Sequence, residues 1–113
     1  MLADNYVVSY NYCLLYLDYS DVLDLDDLKH ILRTTWEARR RWYNIGLALN
    51  ISPYKIDVIK HEYASDPGDC LREILMLWLK ESVPTWKEMI EVLRSPMVGF
   101  EHIAENIIRE RTM

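Results

Sequence analysis

Along most of this chain apolar residues recur at intervals of three and four, and proline or a small polar cluster closes each run. That pattern predicts a succession of amphipathic helices. The first lies between Leu25 and Trp36, with Leu28, Ile31 and Leu32 inward, Asp24 as N-cap, and Asp26 and Asp27 in the first turn, where acids suit the helix dipole. Trp42, Ile45 and Leu49 mark a second helix from about Ala38 to Leu49, ended by Asn50 in a left-handed conformation. Ser52 followed by Pro53 reads as an N-cap and first helical residue, opening a third helix with Ile56, Ile59 and Tyr63 that ends near Ala64.

Asp66-Pro67-Gly68-Asp69 reads as a turn whose last residue caps a fourth helix bearing Cys70, Leu71, Ile74, Leu75, Leu77, Trp78 and Leu79. Apolar residues cover most of its circumference, so it is expected at the centre of the fold. Thr85-Trp86-Lys87-Glu88 has the spacing of a capping box and opens a fifth helix with Met89, Ile90 and Leu93 inward. Beyond Pro96 and Gly99, Phe100, Ile103, Ala104, Ile107 and Ile108 form the sixth stripe, which finishes in Arg109 and Arg111. The expected fold is therefore all-α, with six helices.

The first 24 residues break this pattern. Tyr6, Val8, Tyr10 and Tyr12 alternate with polar residues as in a strand, whereas Tyr12, Tyr16 and Tyr19 also share a helical face. The segment holds Asp4, Asp18, Asp21 and Asp24 and no base, so it carries most of the net charge of −5 and leaves 14 acids against 13 bases from Leu25 onward. An acidic total with a nearly neutral body argues against a nucleic-acid partner. The chain has 113 residues, 27% of them charged and half hydrophobic, which fits one globular domain. Cys13 and Cys70 lie far apart among apolar neighbours, as in a reducing cytoplasm rather than a disulfide framework. Neither a basic leader nor an uninterrupted apolar span is present, so secretion and membrane insertion are not expected.

Catalytic patterns fail at specific positions. His61-Glu62 begins like a zinc-protease helix, but Ser65 stands where the second histidine is needed. Asp57 and His61 lack a third ligand at usable spacing, His30 and His102 read as isolated and solvated, and three scattered glycines cannot form a phosphate loop. Cys70 begins a strongly apolar helix and reads as core, not nucleophile. No enzymatic activity, metal or cofactor is expected.

Several ordered signatures together resemble a death domain: Trp42-x2-Ile45-Gly46-x2-Leu49-x-Ile51, Cys70-Leu71-x2-Ile74-Leu75-x2-Trp78-Leu79, Pro84-Thr85-Trp86, and Gly99-x3-Ile103-Ala104-x2-Ile107. The match runs from about Leu25 to Arg109 and divides the chain into a Tyr-rich acidic extension, residues 1–24, and a domain, residues 25–111. The resemblance implies an antiparallel six-helix bundle of Greek-key topology. It also implies a non-enzymatic adaptor that binds other death domains, in copies of this chain or in another protein, and stacks into helical oligomers in apoptotic or innate-immune signalling. Thr34-Thr35-Trp36-Glu37 departs from the pattern by carrying an extra aromatic between the first two helices.

On such a bundle Trp42, Trp78 and Trp86 are expected in the core, while Trp36 is divided between sealing the bundle and lying at a contact. Arg39-Arg40-Arg41 is the basic run. Either a solvated face or a partner contact fits it, and arginine's planar fork suits carboxylates, so Arg39 and Arg40 are partner-binding candidates. Lys55 and Lys60 are secondary basic candidates; the acids for a neighbouring copy are Asp26 and Asp27 beside Asp24, Asp66 and Asp69, and Glu88 and Glu91. Tyr43 and Leu47 read equally as an apolar contact centre or as partly buried. Opposite charges on different faces would dock head-to-tail and propagate. For the Tyr-rich segment, docking on the bundle stands ahead of folding on a partner and of tyrosine phosphorylation at Tyr12-x2-Leu15 or Tyr19-x2-Val22. An alternative function is a regulatory domain in which this segment covers a partner- or ligand-binding groove.

Overall fold

A computed structural model describes residues 21–63 and 66–112. Among these the chain is all-helical: a 3-10 turn, Leu25–Asp27, runs into α1 (Leu28–Thr35). A 3-10 segment, Trp36–Arg41, leads to α2 (Trp42–Ala48), followed by α3 (Pro53–Glu62), α4 (Pro67–Glu81), α5 (Trp86–Arg94) and α6 (Glu101–Thr112). The six α-helices are those the apolar stripes predict. The strand-or-helix question for the Tyr-rich window, Cys13, and the third helix's expected end at Ala64 all lie outside the described residues.

Capping residues mark several of the helix ends, and some of them correct the sequence expectations. At the head of α1, Asp24 Oδ1 accepts the Asp26 amide at 2.9 Å and Asp27 Oδ2 accepts the Asp24 amide at 2.9 Å, a reciprocal box of two acids. At its end the Thr34 and Thr35 hydroxyls each donate to the carbonyl four residues back, at 2.8 Å. Such back-bonding perturbs the regular ladder. The chain tightens there into the 3-10 segment, so Ala38, expected at the start of the second α-helix, lies in a 3-10 turn and α2 begins at Trp42.

Helix α2 ends as expected at Asn50, whose φ is +64°. Asn50 N–H donates to Leu47 and Ile51 N–H to Gly46, each at 3.0 Å, which is a complete Schellman motif. Ser52 precedes α3 and Pro53 takes its first position, but the serine side chain makes no capping bond. In front of α4 the cap is Asp66 rather than Asp69: its Oδ1 accepts Gly68 N–H at 2.9 Å and Asp69 N–H at 3.1 Å, because Pro67, already fixed in φ and lacking an N–H, starts the helix. At α5 half of the capping box forms, Thr85 Oγ1 accepting Glu88 N–H at 3.1 Å. The Glu88 carboxylate instead accepts the Trp78 indole N–H from α4, which a buried indole requires.

Helix α4 is central, packing against α1, the 3-10 segment, α2 and α3, while α5 and α6 pack on each other and α6 also meets α1. Seven of its side chains or backbones are buried, among them Cys70, Leu71, Ile74, Leu75, Trp78 and Leu79. The approach of α2 is close enough that a Cβ on Gly46 would lie 2.8 Å from Ile74 Cδ1. Trp78 and Trp86 are buried as expected; Trp42 is only half-buried, set edge-on to Tyr43 at the margin of the core. The core also takes in Leu23, whose N–H donates to Pro84 O at 2.7 Å beside an isolated antiparallel bridge between Val22 and Thr85. Residues 21–24, read as part of the extension, are thus attached to the bundle.

Candidate interaction surface

The basic run is presented by the 3-10 segment. Arg39 is half-buried: its guanidinium lies 4.8 Å from the centre of the Trp36 ring, and its Nη1 donates to Trp36 O at 3.0 Å. The indole is 45% exposed, and its far edge rests on the first turn of α4, where a Cβ on Gly68 would meet Trp36 Cη2 at 2.4 Å. Gly68 therefore makes room for the ring, and the ring holds Arg39, while Arg40 and Arg41 are exposed beside it.

Because Trp36 sits on Gly68, the basic group lies at the N-terminal end of α4, next to the Asp66–Asp69 turn. Asp24 and Asp26 line a groove with Leu25, Leu79 and Lys80, at the C-terminal end of the same helix. From Gly68 to Leu79 the helical rise is about 16 Å. The structure thus separates Arg39 and Arg40 from Asp24, Asp26 and Asp27 by most of the length of α4, and it places Asp66 and Asp69 on the basic side.

The remaining candidates divide by what already occupies them. Lys55 Nζ lies 2.6 Å from Glu81 Oε2, tying α3 to α4. Glu88 is engaged by Trp78 and half-buried. Lys60, Asp69 and Glu91 are exposed, and Glu91 borders a shallow groove with Arg94, Ser95 and Glu101. Tyr43 and Leu47 are half-buried against the core, and the Tyr43 hydroxyl donates to Asp57 at 3.4 Å. Two expectations of isolated histidines are corrected: His102 Nε2 lies 2.6 Å from Glu37 Oε2, and His30 meets Trp86 edge-on at 5.7 Å between ring centres. No spacing rule joins positions 37 and 102, so the pair has no sequence signal. Helix α3 also exposes an apolar face, Tyr54 and Val58, whose sequence signal is two large apolar residues four apart, off the Ile56/Ile59 stripe.

Cys70 is enclosed, with Sγ donating to Tyr63 O at 3.3 Å; burial, reinforced by Asp66 and Asp69, pushes its thiol above the ordinary range, the reverse of nucleophile activation. The Glu73 carboxylate, followed by burial, does the same to the Tyr63 phenol.

The family model for the death domain matches residues 25–110. The chain belongs to the death-domain family. No curated protein and no solved structure matches it. Death domains are non-enzymatic modules that associate with one another, so this chain is a protein-interaction domain, and the exposed charged groups at the two ends of α4 are its candidate contact surfaces. No helix among the described residues of this death domain is long and apolar enough to cross a membrane.

Proposed function

We propose that this death domain is an adaptor or scaffold that works in the cytoplasm by homotypic association, stacking copies of itself, or itself on another death-domain protein, in apoptotic or innate-immune signalling. The observation that supports this most directly is the placement of Trp36–Arg39–Arg40 and Asp24–Asp26–Asp27 at opposite ends of α4. Complementary surfaces at two ends of a rigid body make a heterologous contact, which adds subunits without closing on itself. Arg39 is already ordered by the ring beneath it, so little side-chain freedom is lost when it meets a carboxylate. Asp66 and Asp69 lie beside the basic end, Lys60 and Glu91 are exposed charges on α3 and α5, and Lys55 and Glu88 contribute by holding α3 and α5 to α4. No step of this role calls on a nucleic acid, a membrane or a cofactor.

Light scattering and negative-stain microscopy over a concentration series test the reading. Arg40→Glu, alone and with Arg39→Glu, is expected to weaken assembly at least about tenfold while the single substitution leaves the thermal transition in place. Unchanged assembly by the Arg40→Glu protein removes the basic end from the interface. A strictly monomeric wild-type chain overturns self-association and leaves recruitment of a different death domain.

A further inference from the structure

Helix α3 turns two large apolar side chains outward: Tyr54 is 77% exposed and Val58 39%. They stand one turn apart and, with His61, run along the helix at i, i+4 and i+7, while Ile56 and Ile59 hold the opposite side in the core. At about 100° per residue, Asp57 lies about 60° to one side of Tyr54 and Glu62 about 80° to the other. These five residues line one shallow depression of about 300 Å³, and Asp57, His61 and Glu62 are exposed. An apolar strip with a carboxylate on each long edge has the anatomy of an interface, in which the apolar centre carries affinity and the rim charges select the partner. The cations of the same helix stand off the strip: Lys55 is paired with Glu81 on α4, and Lys60 projects about 120° away from Tyr54.

We propose that this strip is a docking site for an amphipathic α-helix of a different protein, one that presents two apolar residues a turn apart with lysine or arginine on both flanks. A helix laid along α3 sets its own i and i+4 side chains against Tyr54 and Val58, and its two cationic edges then meet Asp57 and Glu62. Asp57 keeps acceptor sites for this, since the Tyr43 hydroxyl reaches only one of its oxygens, at 3.4 Å. A second copy of the chain fits the strip less well. Among the described residues, Tyr54 and Val58 are the one pair of exposed large apolar residues four apart in a helix, so a second copy offers such a pair only through the same face. Two such faces in contact would set Asp57 and Glu62 against like carboxylates, which repulsion disfavours. The Trp36–Arg39–Arg40 group of a second copy carries cations but a single apolar anchor, and that ring is already held between Gly68 and Arg39. The docking on α3 is thus additional to the homotypic association above and does not depend on it.

The test uses the full chain and two synthetic helical peptides that differ only in their flanks: two leucines four apart with lysine and arginine on either side, and the same leucines with glutamate there. The basic peptide is expected to bind with amide shifts confined to the outward side of α3, and the acidic one at least about tenfold more weakly. Tyr54→Ser with Val58→Ser, and separately Asp57→Asn with Glu62→Gln, are each expected to weaken the basic peptide at least about tenfold. All four positions are exposed, so the thermal transition is expected to be retained. In light scattering the Tyr54→Ser, Val58→Ser protein is expected to behave as the wild type does. Four results overturn the proposal: no binding of the basic peptide; shifts centred on Asp24 and Asp26 instead of α3; equal binding of the acidic peptide; or loss of self-association in the Tyr54→Ser, Val58→Ser protein, which would make a second copy the occupant. Peptide binding on α3 is read independently of assembly through Arg39 and Arg40, so the two ideas fail separately.

Discussion

Gly68 illustrates how one residue without a side chain sets the position of two that have them. Its place in the sequence reads as part of a turn, and nothing local reveals that an indole from 32 residues earlier lies on it. Replacing it with alanine brings a Cβ to 2.4 Å from Trp36 Cη2, so the ring must lift and Arg39 loses its support. Gly68→Ala is expected to cost about 1–3 kcal/mol in urea unfolding, and most of that cost should vanish in a Trp36→Ala background. An equal cost in both backgrounds would place the strain in the backbone instead. Glu88 gives the same lesson in reverse. Its spacing from Thr85 is that of a capping box, but a buried indole N–H from α4 claims the carboxylate, and only the packing of two helices reveals that competitor.

Whole helices were legible where a stripe and a cap agree. The stripe of α4 and its central place follow from apolar residues around most of its circumference, and the end of α2 follows from Asn50. Because Asn50 carries a φ of +64° within a Schellman motif, Asn50→Ala is expected to lower stability by about 1 kcal/mol and Asn50→Gly to leave it unchanged or higher. Chemical denaturation of the two variants checks the order, and an alanine variant as stable as glycine would contradict it. The stretch between α1 and α2 was not legible in the same way. Its composition is compatible with a helix, and the change to 3-10 geometry coincides with the hydroxyls of two successive threonines at the end of α1, which donate to the His30 and Ile31 carbonyls.

At the scale of the whole molecule, the burial of Cys70 and the Glu73 carboxylate near Tyr63 couple stability to alkaline pH. Cys70 is raised by burial and then by Asp66 and Asp69, and Tyr63 by Glu73 and then by burial, so the fold favours the protonated form of both. In the unfolded chain these groups ionise first, from about pH 8.5 for the thiol and about pH 10 for the phenol. Their contribution is therefore complete below the unfolded values and is lost as pH rises through the folded ones. Thermal unfolding is expected to show a flat region near neutrality and a decline above about pH 8.5, with a shallower first part in Cys70→Ala. An unchanged slope would remove the thiol as its source. What the sequence alone determined was the helix count, the central fourth helix, the helix-ending role of Asn50 and the family to which the chain belongs, because periodicity and caps act over a few residues. Only the tertiary structure decided that Trp36 lies on Gly68 and carries Arg39, that Lys55 and Glu88 are taken up by partners on α4, and that basic and acidic groups stand at opposite ends of α4. Those facts depend on contacts between residues tens of positions apart, and the spacing of residues along the chain holds no record of them.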